Sequence, residues 1–259
     1  MVVETGLRPE PQMEREKKEI ISPEEQGSVF ASEKEKEESA QSLAEHGLLE
    51  MRKILGSSLM DEITLISSSA MFILGKIKRD KHEPDWESFH KAPGDLDGVV
   101  SSLQALERIK EKLARVENVT FGNAHFSSHE AKRGEFMSFQ GQGTKTYVLT
   151  GSFPVEFPAL VMGENKTLVA PYEFELFYNT PIVDKEDLKS RISYKGMFHL
   201  LNERALRRQY EKIKDLEERK QVATGEPGKN KIPKREMNIA QLTEAIERSI
   251  QDIHTGSTE

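Results

Sequence analysis

Apolar positions along the chain follow two periods, and the switches between them divide the sequence. From Gln41 to Leu59, Leu43, Leu48, Leu49, Ile54 and Leu55 recur at roughly helical spacing. The run Ile63-Thr64-Leu65-Ile66 is rich in β-branched residues and predicts a buried strand. Ser67-Ser68-Ser69 then offers an N-cap to an apolar helix from Ala70 to about Lys78. Arg79 to Lys91 is polar around the sole tryptophan, Trp86, and predicts a surface loop. After the turn signal Pro93-Gly94, the stretch Asp95–Val100 predicts a strand that opens on its carboxylates. Ser101 and Gln104 have capping-box spacing, and Leu103, Leu106, Ile109 and Leu113 line one face of the helix behind them.

The middle of the chain changes character. Between Phe121 and Val183 the apolar runs are short (Thr146–Thr150, Val155–Met162, Thr167–Tyr178) and broken by Gly and Pro, predicting strands joined by tight turns. Gly163-Glu164-Asn165 is the expected hairpin tip. The helical period returns with Leu201, Ala205, Leu206, Tyr210, Ile213 and Leu216 and runs to about Val222, where Gly225–Gly228 breaks it. A last amphipathic helix is predicted from Asn238 to Ile253. The pattern is that of an α+β protein, a small mixed β-sheet with flanking helices and a helical C-terminal part.

Composition changes this picture at one end. The first 40 residues hold eleven glutamates against six lysines and arginines, with Phe30 as their only aromatic, and such a stretch buries too little surface to offset chain entropy. It is expected to be a disordered acidic tail, leaving an α+β domain at 41–190 and a helical region at 191–259. The formal charge of -7 argues against a protein that coats nucleic acid. The absence of cysteine excludes disulfides, thiolate metal sites and a cysteine nucleophile. With no signal-peptide pattern and no apolar run of membrane-spanning length, a soluble cytoplasmic protein with no membrane partner is expected.

The sharpest chemical feature is Asp95-Leu96-Asp97. Residues two apart on a strand point to the same side, so the two carboxylates converge and suit magnesium, which keeps waters and takes phosphate oxygens in its remaining positions. Taken alone, the pair also fits two solvated turn acids. Upstream, the serine-rich turn at a helix start is suited to anions, and equally to plain capping.

The order of these features, strand, serine turn Ser67-Ser68-Ser69, helix, then Asp95-Leu96-Asp97 opening the next strand, resembles the nucleotidyltransferase superfamily built on the polymerase-β-type palm. Ile63–Val100 carries the resemblance, with a looser match over Thr146–Leu216, and the later chain looks most like abortive-infection-type toxins and related bacterial proteins. The family has glycines where this chain has Ser67-Ser68, and a shorter gap before the aspartates. The resemblance implies a nucleotidyltransferase-like fold and a nucleoside triphosphate substrate. It also implies two Mg2+ ions on Asp95 and Asp97, and Ser67, Ser68 or Ser69 against the phosphates. A third carboxylate is implied on a later strand: Glu175, with Glu173 and Glu156 as alternatives. The acceptor is then a hydroxyl of RNA, a protein or a small molecule, and an antitoxin is a conceivable partner.

Two rival readings stand beside it. One is a catalytically silent binding or regulatory module that keeps the charges. The other is a haloacid-dehalogenase-type phosphatase, whose nucleophile motif Asp95-Leu96-Asp97-Gly98-Val99 also spells, although that fold needs its strand before the first aspartate. Phe139–Lys145 has the look of a phosphate loop without Gly-Lys-Ser/Thr and fits a hairpin loop better, and His125 and His129 lack a helix to pair them. Residues 191–235 carry thirteen bases against six acids, and Arg204, Arg207, Arg208 and Lys212 fall at helical spacings that could hold phosphates or an RNA backbone. A solvated helix face explains the same charges.

Overall fold

A computed structural model describes residues 19–20, 30–83, 89, 91–122, 137–141, 144–224 and 231–255. The tail segments 1–18 and 21–29, Trp86, His125, His129 and the break at Gly225–Gly228 lie outside the described residues. The strands are β1 (Glu19–Ile20), β2 (Ile63–Leu65), β3 (Asp95–Val100), β4 (Thr120–Phe121), β5 (Met137–Gly141), β6 (Thr144–Val161), β7 (Glu164–Tyr178), β8 (Ile192–Tyr194) and β9 (Phe198–Leu200). The helices are α1 (Glu33–Leu55), α2 (Ser57–Met60), α3 (Ser67–Asp80), α4 (Leu103–Leu113), α5 (Lys185–Lys189), α6 (Glu203–Thr224) and α7 (Ile232–Thr255). All these strands join one mixed sheet in the order β4-β6-β7-β3-β2-β9-β8, with β1 on β7 and β5 on β6. The chain is therefore mixed α and β with a helical C-terminal part, as the periodicity predicts.

The long hairpin β6–β7 is the scaffold. Val161 pairs with Glu164, so Met162-Gly163 is a two-residue turn, one position earlier than the glycine signal suggests. Both residues have positive φ (51° and 81°), the backbone that matches strand twist in tight hairpins. The segment read as two short strands is one strand, β6. Its Pro154 and Pro158 lie beyond Ser152, the last β6 residue paired to β4, where no second strand among the described residues calls for the N–H that proline lacks. Gly141 pairs antiparallel with Thr144, so the glycine-rich stretch there joins strands, not a strand and a helix.

The acidic tail does not extend to residue 40. Ser32 caps α1, its Oγ accepting the Glu35 N–H at 3.2 Å. Glu35 is buried, and its carboxylate accepts the N–H groups of Ala31 (2.7 Å) and Gly163 (2.9 Å). These bonds, with Ser42 Oγ donating to the Pro158 carbonyl at 2.7 Å, dock the polar first turns of α1 on the hairpin. Composition hides these first turns because, apart from Phe30 packing on the hairpin, they are anchored by hydrogen bonds. Further along, Ala44, Leu48, Met51 and Leu55 are buried, and a Cβ on Gly47 would come within 2.2 Å of the Tyr172 ring, so α1 packs close on the sheet.

Alternation along β3 then sorts the site from the core. Leu96, Gly98 and Val100 share the side of Ile63 and Leu176, whereas Asp95, Asp97 and Val99 take the other. On that second side α6 and α7 pack along one another over the sheet, burying Leu206, Tyr210, Leu242 and Ala245. No helix among the described residues is long and apolar enough to cross a membrane.

Candidate functional site

Strands β3 and β7 run parallel, with Asp95 opposite Glu173 and Asp97 opposite Glu175. The register puts Asp95, Asp97 and Glu175 together, with one carboxylate oxygen from each lying within 4.8 Å of the others. Glu175 is buried; Glu173 is exposed on the same strand, and Glu156 lies far along β6 opposite Val169. Both aspartates stand at the start of β3, not at the C-terminal end of a strand, so the phosphatase geometry is absent.

The charges perturb each other. Burial first, and then the neighbouring carboxylates of Asp95 and Glu175, push the Asp97 carboxyl well above the usual aspartate value, while Arg235 and a Ser67 side-chain hydrogen bond pull it back. Three acids placed so closely are unfavourable without a counter-charge.

The serine turn divides its labour. Ser67 begins α3 with φ +52°, the left-handed conformation that glycine adopts freely and a serine adopts at a cost of about 1 kcal/mol. Its N–H donates to Gln209 Oε1 at 3.0 Å, and its side chain hydrogen-bonds Asp97 and Tyr210. Ser69 is fully buried; its Oγ donates to the Asp95 carbonyl and accepts the Asp97 N–H, both at 3.0 Å. Ser67 and Ser69 thus hold the aspartates in place, and Ser67 also lines the cavity in front of the triad. Ser68, half-buried, lines the same cavity.

That cavity has a volume of about 1060 Å³ and is walled by Asp95, Asp97, Glu175 and residues from α3, α6 and α7. Lys91, Lys231, Lys234 and Arg235 also line it, as do Lys34, Glu37 and Glu38 of α1 and Arg79 of α3. Enclosure first, and then Arg235, Lys91 and Lys231, lower the Lys234 pKa, which marks the four as one crowded positive cluster. Phe89, Phe177, Ile182 and Tyr210 add an apolar and aromatic part. Burial pushes the Tyr210 hydroxyl up to about 12, so it stays protonated and able to donate.

Arg207 and Arg208 are not in this wall. Arg208 is paired with Asp187 of the short helix α5, and Arg207 with Glu211 at 3.0 Å. The residues that α6 sends to the cavity are Gln209, Tyr210 and Ile213. Apart from Lys91, which precedes β3, the clustered cations come from the start of α7, which begins at Ile232, six positions before the predicted start. Lys231-Ile232-Pro233-Lys234-Arg235 looks like a polar linker, although proline early in a helix is a signal for its start.

No family model matches the chain, and no curated protein matches it. Among solved structures it is similar to the Megavirus polyadenylate synthase, with a TM-score of 0.42 and 9% identity over 80% of this chain. The chain spans 34% of that protein's length. A likeness at that distance carries no argument about activity.

Proposed function

We propose that the chain is a metal-dependent nucleotidyltransferase, moving a nucleoside monophosphate from a nucleoside triphosphate to an acceptor hydroxyl. The observation that carries this reading is one cavity that holds both the three converging carboxylates and the cluster of Lys91, Lys231, Lys234 and Arg235, with Lys34, Glu37, Glu38 and Arg79 also in its wall. Acids alone would repel a nucleotide, and cations alone would bind any polyanion. Together they fit a phosphate chain that arrives with divalent cations.

The donor set of Asp95, Asp97 and Glu175 is three hard oxygens, which fits Mg2+, and two ions is the expectation for this chemistry. Bound magnesium supplies neutralisation of the entering and leaving oxygens in an in-line displacement. Asp97, held by Ser69 on its backbone and by Ser67 on its side chain, is positioned before any ligand arrives. Lys91, Lys231, Lys234 and Arg235 offset the charge of the phosphates, and Ser68 at the N-terminal end of α3 lies where the helix dipole favours anions. Phe89 and Phe177 give the nucleoside an apolar surface.

Acceptors of three kinds offer a suitable hydroxyl: RNA, a protein or a small molecule. A toxin with a paired antitoxin is one setting for the activity. Incubation with magnesium, α-phosphate-labelled nucleoside triphosphates and a total RNA or protein extract tests the proposal. Label should enter one acceptor class with the natural chain and not with Asp95→Asn. Failure of every nucleotide to transfer label to any of these acceptors would contradict it.

A further inference from the structure

Gln209 is 1% exposed and lines the cavity, yet its side-chain nitrogen has no hydrogen-bond partner among the described residues. Its orientation is fixed by the other half of the amide: a backbone N–H can only donate, so the oxygen must be the atom facing Ser67 N–H at 3.0 Å. That leaves Nε2, a buried donor, unsatisfied, and burying an unpaired amide is unfavourable unless a ligand completes it.

Resting on the nucleotidyltransferase reading, we infer that Gln209 is a specificity-determining residue that donates through Nε2 to a phosphate oxygen of the substrate's triphosphate chain. The exchange it performs is specific to this turn. Ser67 N–H, at the very start of α3, would ordinarily serve an anion at a helix N-terminus, but the Gln209 carbonyl occupies it. In taking that N–H, Gln209 leaves its own side-chain N–H as the buried, unpaired donor of this turn.

The surroundings decide for phosphate over base or sugar. The cavity that Gln209 lines also holds Ser68, Lys231, Lys234 and Arg235, and a phosphate chain that brings divalent cations to Asp95, Asp97 and Glu175 is the acceptor that this mixture of charges favours. The Gln209 donor fixes the direction of approach, which a cluster of flexible lysines cannot do.

Gln209→Glu is the informative variant. It keeps a side-chain oxygen for Ser67 N–H, so the turn is retained, and replaces the donor with an acceptor. Binding of inorganic tripolyphosphate to the full chain, measured by calorimetry without magnesium, should weaken by about tenfold or more in Gln209→Glu. Thermal unfolding of the variant, compared with the natural chain, checks that the fold is intact. Gln209→Met, isosteric but without donor or acceptor, gives a second reading if the carboxylate destabilises the cavity, and should weaken tripolyphosphate binding as well. Unchanged tripolyphosphate affinity in both folded variants would overturn the inference. So would a natural chain that does not bind tripolyphosphate, or a variant that loses nucleotide binding alone, which would assign Nε2 to the base or sugar. The two readings fail separately: tripolyphosphate binding lost in Gln209→Glu, with no transfer of label by the natural chain, would uphold the phosphate contact and remove the transferase.

Discussion

Asp97 and Glu175 are register partners on adjacent parallel strands, so the backbone ladder itself holds two carboxylates against each other. The repulsion is reflected in Asp97, whose carboxyl titrates well above the ordinary 3.8 because of burial and then its two acidic neighbours. A raised acid pKa means that the folded chain holds its proton longer than the unfolded chain. Stability therefore falls as pH rises from the unfolded value through the folded one. Asp97→Asn should thus match the natural chain near pH 3.5 and become the more stable of the two as pH rises towards neutrality, with no metal present. Chemical denaturation at a series of pH values checks this, and a variant less stable at pH 7 would mean that Asp97 is a structural acid.

Ser69 is the link between α3 and the start of β3. Its hydroxyl serves both the Asp95 carbonyl and the Asp97 N–H and is fully buried, so Ser69→Ala leaves a buried donor and a buried acceptor without that partner. The expected loss is roughly 1–3 kcal/mol by denaturant unfolding. Because the same bonds aim the aspartates, magnesium affinity should fall with it. Loss of stability with full magnesium affinity would separate the two roles.

Charge reversal distinguishes the cationic wall from the bases of α6. Lys234→Glu should lower nucleotide affinity by about tenfold and flatten its dependence on salt. Arg208→Glu should leave both unchanged while lowering stability, since it strands the buried Asp187 carboxylate beside a like charge. Calorimetric titrations at two salt concentrations read the affinities and their salt dependence, and denaturant unfolding reads the stability.

Much of the triad was legible before any coordinates. Asp95 and Asp97 announce themselves by a spacing of two on a strand, and Glu175 by alternating with aromatics in Tyr172-Glu173-Phe174-Glu175. A run of apolar residues follows Glu175 in the sequence, and the register places Glu175 beside Asp97 within the triad. The rest was hidden because it depends on pairing across the fold. Ser69 reaches β3 and Ser67 reaches α6, contacts that a local capping pattern cannot reveal. Arg207 and Arg208 misled because helical spacing shows which residues share a side but not what that side faces. Gln209 gave no signal, as a glutamine between charged positions reads as solvated surface.

Glu35 predicts the acid limb of unfolding. The Ala31 N–H first, with those of Gly163, Met162 and Ser32, holds its carboxyl below the usual glutamate range against the opposing effect of burial. A lowered acid pKa stabilises the fold above the unfolded value and loses that contribution as pH falls through the folded value. Glu35→Gln should therefore lower the thermal midpoint at pH 7, and the gap to the natural chain should close on acidification below about pH 4.5. A gap that stays constant down to pH 2 would place the effect in packing.

The most direct measurement is nucleoside triphosphate binding with and without magnesium, on the natural chain, Asp97→Asn and Glu175→Gln. If Asp95, Asp97 and Glu175 hold the metal, magnesium should raise the affinity of the natural chain by about tenfold or more, and both variants should lose that increment while remaining folded. Equal affinity with and without magnesium in the natural chain, or an undiminished magnesium effect in both variants, would contradict the site.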